Sequence, residues 1–150
     1  MKAETSMQAA PRLPRRSTEL LQDIIGGTSL GASRNIRQIN ELLVSIAEES
    51  ARSSSDETKR LIMETADYLA ATRGKNTPAI RNAIQHVLRG FEDEAPTSSA
   101  ELKTFLLERK DEYQKMSIRN RDLIAAYGAN LLEGANAILA FDYSSSMMAI

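Results

Sequence analysis

Two groups of residues have the types and spacing to do chemistry. The first is Arg73-Gly74-Lys75, which follows a helical pattern ending near Thr72 and sets two cations on either side of a glycine. A glycine there lets backbone approach a ligand, and flanking cations suit a phosphate through charge-assisted hydrogen bonds. The plainer reading of Arg73 is a solvated cap, since the dipole at a helix C-terminus favours a cation by ~0.3–1 kcal/mol. The second group is Asp142-Tyr143-Ser144-Ser145-Ser146, between the apolar runs Ala137-Ile138-Leu139-Ala140-Phe141 and Met147-Met148-Ala149-Ile150. A buried strand leading through a Ser-rich turn into a helix N-terminus is how an α/β sheet opens. Ser144 and Ser145 would then lie where such a turn holds phosphate. Asp142 would stand at the carboxyl end of the strand, where ligands bind, as a candidate acid/base. An aspartate at that point is equally a turn former or an N-cap.

Other chemistries are excluded by what the chain lacks. It has no cysteine, so there is no thiolate nucleophile, thiolate metal site or disulfide. Its one histidine, His86, rules against a zinc cluster or a histidine-based triad, and reads as a boundary residue beside an apolar stripe. No metal and no cofactor is called for. The 19 basic and 20 acidic residues leave a net charge of −1, so no global field points to nucleic acid or a membrane surface. No apolar run approaches the ~20 residues that span a bilayer. The first sixteen residues carry Pro11, Pro14 and three arginines without the apolar core of a secretory signal. They read as a disordered tail, and the chain as cytoplasmic.

The elements that must position these residues are helical. Leu20, Leu21, Ile24 and Ile25 form a first stripe, closed by Gly26-Gly27. Ile36, Ile39, Leu43 and Ile46 recur at spacings of three or four after Gly31-Ala32-Ser33, which puts them on one core-facing stripe. A third helix follows the Ser53-Ser54-Ser55-Asp56 cap with Leu61, Ile62, Thr65 and Leu69. A fourth starts at Thr77-Pro78, as N-cap and first helical residue, and carries Ile80, Ala83 or Ile84, Val87 and Phe91. Ser98 and Glu101 have the spacing of a capping box. The helix they open should run to about Leu132, roughly 50 Å long. Its buried side is expected to include Leu102, Phe105, Leu106, Tyr113, Met116, Leu123, Ile124, Tyr127 and Leu131, covered along its length by the four shorter helices. The expected fold is all-α, an antiparallel bundle of about five helices over residues 17–134. A short strand-like segment in 135–150 would begin a Rossmann-like domain.

Three strings resemble the N-terminal helical region of the initiation factor 2B alpha/beta/delta family. That family also contains ribose-1,5-bisphosphate isomerase and methylthioribose-1-phosphate isomerase. Leu30-Gly31-Ala32-Ser33, opening a helix that reaches Glu41-Leu42-Leu43, is similar to the family's Gly-Ala helix start. Thr72-Arg73, with Asn82-Ala83-Ile84 following, resembles its Ser-Arg-Pro-Thr…Asn-Ala-Ile segment. Glu133-Gly134-Ala135-Asn136-Ala137-Ile138-Leu139, then Tyr143-Ser144, resembles its Asp-Gly-Ala…Ile-Leu-Thr-His strand and turn.

The resemblance implies that a Rossmann-like domain follows residue 150, and that Arg73 matches an arginine of the family's ligand site. There are departures. Leu30 stands where the isomerases have a phosphate-binding arginine, Gly74-Lys75 replaces Pro-Thr, and Asp142 replaces the catalytic cysteine. The resemblance therefore favours the regulatory side of the family. It implies a helical domain that contributes to sugar-phosphate or nucleoside-monophosphate binding and to homo- or hetero-oligomer contacts, in translation-initiation regulation. No complete catalytic set is present in the chain itself. Two further readings stand beside it: part of an aldose–ketose sugar-phosphate isomerase in which Asp142 moves the proton, and a freestanding helical interaction module.

Overall fold

A computed structural model describes residues 9–27, 31–91, 98–137 and 139. Five helices follow in order: α1 (Arg15–Ile25), α2 (Ala32–Glu49), α3 (Ser55–Ala71), α4 (Pro78–Val87) and α5 (Ser99–Leu131). No strand occurs among the described residues. The all-α architecture is the one the periodicity calls for. The chain divides into two compact units, residues 1–110 and 111–150, and the division falls within α5.

The first unit is built around α2. This helix packs against α1, α3 and α4, and α3 also packs against α4. Its central position explains why burial extends beyond the expected stripe. Ile36, Ile39, Leu43 and Ile46 are all buried, and so are Leu42, Val44 and Ala47 on other faces. Of the stripes expected for α3 and α4, Ile62, Thr65, Leu69, Ile80, Ala83, Ile84, Val87 and Phe91 are buried, while Leu61 is half-buried. In α1, Leu21 and Ile24 are buried, whereas Ile25, expected on the same stripe, is 40% exposed beside the terminating glycines.

The helix starts show how each end finds its hydrogen bonds. α1 begins at Arg15, behind Pro14, which offers no capping side chain. Glu49, the last residue of α2, supplies the cap instead. Its carboxylate accepts from the Arg16 amide at 3.1 Å, the Ser17 amide at 2.8 Å and the Ser17 hydroxyl at 2.7 Å. Those are the amides that an N-cap side chain ordinarily satisfies. Burial alone would raise the Glu49 pKa, but the bonds from Ser17, Arg16 and Ser45 outweigh it and hold the carboxyl below 4.5. At α3, Ser54 caps the Glu57 amide at 3.2 Å. Thr77 stands at the N-cap of α4 as expected, yet its side chain makes no cap bond. Pro78 at the first position already removes one of the free amides there.

α5 opens with the expected capping box: the Ser98 amide donates to Glu101 at 3.1 Å and the Glu101 amide to Ser98 at 3.3 Å. Its first three turns are anchored within the first unit. Leu102 and Leu106 are fully buried, and the Ser99 hydroxyl reaches the Ser50 carbonyl at 3.4 Å. Lys103 pairs with Glu48 at 2.9 Å, and the Phe105 ring lies 5.7 Å from that of Phe91.

Described by itself, the second unit is different. The stripe expected to be buried from Met116 to Leu131 is exposed, with Tyr127 at 69% and Leu131 at 86%. The reason is geometric: this unit contains one described helix, and a single helix cannot bury its own apolar face. The strand-like segment and the turn with Asp142, Ser144 and Ser145 lie outside the described residues, save for Ala137 and Leu139.

Candidate phosphate site

The turn after α3 is made by glycine. The Thr72 amide bonds the Tyr68 carbonyl at 3.0 Å, and the Gly74 amide reaches back to the Leu69 carbonyl at 2.8 Å, closing the helix end on itself. A Cβ at Gly74 would stand 2.8 Å from the Ala70 carbonyl oxygen and 3.0 Å from its Cα. The glycine is therefore required by the close approach of its own helix, and this replaces the expectation that it makes room for a ligand.

The turn brings Arg73, which is half-buried, to the junction of α1 and α2. Its Nη2 donates to Asn35 Oδ1 at 3.3 Å. Its Nη1 lies against Gly27, 3.6 Å from where a Cβ would sit on that residue, which has a positive φ of 69°. Asn35 is buried, and its Nδ2 donates to the Gly31 carbonyl at 2.9 Å. Gly31 is the N-cap of α2, with a φ of 90° that disfavours any side chain. The expected Gly-Ala helix start is therefore real, and the arginine from the next helix is tethered to it.

Cations gather near the start of α2. This helix has no acidic residue in its first turn, and its N-cap, Gly31, has no side chain to cap the amides there. Arg34 and Arg37 are exposed near that end. Arg73 forms no ion pair among the described residues, and its buried Nε has no hydrogen-bond partner there. The positive end of a helix dipole and a guanidinium thus meet with a neutral amide, and no carboxylate among the described residues, between them. That combination is chemically suited to an anion, and a phosphate matches both the amides and the fork of guanidinium donors.

Of the other sequence-stated candidates, Lys75 shares the turn with Arg73 and is exposed. Ser144, Ser145 and Asp142 lie outside the described residues, so the structure neither joins them to Arg73 nor separates them from it. His86 is half-buried on α4, as its boundary position suggests. Asn35 was not legible as a site residue, because the partner of its amide is 38 positions away. Among the described residues no cluster of potential metal ligands occurs, and no helix is long and apolar enough to cross a membrane. An open depression lined by Lys115, Ile118, Arg119, Asp122 and Leu123 lies on α5 alone and gathers no converging chemistry.

These features define a helical region in which a Gly-opened helix, α2, meets an arginine from the turn after α3. The family model described as the Initiation factor 2 subunit family matches residues 29–150, a stretch that contains Gly31, Asn35 and Arg73. The chain belongs to that family. No curated protein and no solved structure matches it.

Proposed function

We propose that this chain is a helical region that helps to bind a sugar phosphate or nucleoside monophosphate, and that contributes subunit contacts within an initiation factor 2B-like assembly. What supports the ligand reading is the Arg73 guanidinium, held by Asn35 near the Gly31 start of α2, with its Nε lacking an acceptor among the described residues. Lys75, exposed on the same turn, adds a second cation within the reach of a flexible side chain. Family membership supports the assembly reading. The exposed stripe Met116, Leu123, Ile124, Tyr127 and Leu131 supplies apolar surface that a second family subunit would cover.

Nothing in the described site moves a proton, so its role is to bind and orient. A ligand-dependent melting experiment on the full chain tests this. Adenosine monophosphate or a pentose phosphate should raise the melting temperature, by the mass action of a ligand that binds only the folded state. The unphosphorylated nucleoside or sugar should not. Equal shifts with and without the phosphate group, or no shift with any phosphate, would contradict the reading.

A further inference from the structure

The junction of α1, α2 and α3 holds an amide where electrostatics favours a carboxylate twice over. Asn35 ends the first turn of α2, where the helix dipole stabilises negative charge, and its Oδ1 faces the Arg73 guanidinium. An aspartate there would pair with Arg73 by a charge-assisted bond, roughly twice as strong as a neutral one. The asparagine instead makes weaker, directed bonds. It accepts from Arg73 and donates to the Gly31 carbonyl, so its carboxamide plane is fixed at both ends. It is buried, and so cannot swing away.

From this we infer that Asn35 is a positioning residue. It aims the Arg73 guanidinium along the start of α2 while leaving its charge uncompensated for a dianionic phosphate monoester. The inference rests on the phosphate-site reading and adds to it a second residue and a reason for its neutrality. Two observations agree with it. No acid lies in the first turn of α2, and no carboxylate pairs with Arg73 among the described residues. A junction built for stability alone would gain from either.

The test is titration of the full chain with adenosine monophosphate, alongside melting curves, for wild type, Asn35→Asp, Asn35→Ala and Arg73→Ala. Asn35→Asp puts a negative charge beside the bound phosphate and should weaken binding by about tenfold or more, while the pair gained with Arg73 offsets the bond lost to the Gly31 carbonyl and the melting temperature changes little. Asn35→Ala frees the guanidinium to wander and should weaken binding by about threefold to tenfold, the worth of an orienting bond. Its loss should shrink towards nothing in the Arg73→Ala background, because the two residues act as one unit. Weakened binding in Arg73→Ala with unchanged affinity in both Asn35 variants would overturn the inference alone. Unchanged affinity in Arg73→Ala would overturn the phosphate site itself.

Discussion

The same helix teaches two lessons on either side of Lys110. In its first three turns the apolar residues Leu102 and Leu106 are fully buried, and Ser99, Lys103 and Phe105 all have partners in the first unit. From Asp111 onward, apolar residues at similar helical spacing are exposed. Periodicity says which side of a helix is apolar. Whether that side is covered depends on what faces it, and only the first unit supplies three packed helices around a fourth.

The sharpest way to break this contrast is to delete comparable side chains on both sides. Leu43→Ala in the centre of α2 should cost about 2–5 kcal/mol, as lost burial and a cavity add together. Ile124→Ala on the exposed stripe should change the stability of the isolated chain by less than about 0.5 kcal/mol. Chemical denaturation of the two variants compares them, and equal losses would mean that the stripe is buried in solution.

Smaller effects sharpen the picture of the first unit. Gly74→Ala forces a Cβ into the Ala70 backbone and should cost about 1–3 kcal/mol by overpacking, with the turn that carries Arg73 displaced. Its expected signature is loss of stability together with loss of phosphate affinity, read by calorimetry beside a melting curve. Glu49→Ala removes the cap that α2 gives to α1 and should cost about 1 kcal/mol at neutral pH. The folded pKa of Glu49 is lowered, so its contribution is complete above the unfolded value and is lost as pH falls through the folded one. Wild type should therefore lose its advantage over Glu49→Ala on acidification below about pH 4.5, and a constant difference down to pH 2 would contradict that linkage. Smallest is Arg121→Ala in the second unit. Its pair with Asp122 is exposed, and its removal should shift stability by less than about 0.5 kcal/mol.

Much of the fold was legible because it is local. The Ser98–Glu101 box, the Ser54 cap and the Gly31 helix start are set by residues within one turn of each other, and periodicity marked the stripes of α2, α3 and α4. What escaped depends on distant partners. Glu49 caps a helix that begins 34 positions earlier, and Asn35 meets Arg73 across 38 positions. Neither residue differs in the sequence from an ordinary exposed acid or a surface amide. Gly74 was noticed for the right reason, an unusually close approach, but the approaching group is its own helix. The family resemblance singled out Arg73, and its neighbour at the start of α2 became visible only in three dimensions.

The central claim is that Arg73 faces an anion, and the most direct measurement is calorimetric titration of the full chain with adenosine monophosphate or a pentose phosphate, paired with a melting curve. Arg73→Ala should weaken binding by ~1.5–3 kcal/mol, the usual worth of a hydrogen bond to a charged group. It should leave the melting temperature nearly unchanged, since its one bond to Asn35 is 3.3 Å long and it has no carboxylate partner among the described residues. Unchanged affinity with a clearly lowered melting temperature would make Arg73 a structural tie between α1, α2 and α3, and would contradict the phosphate site.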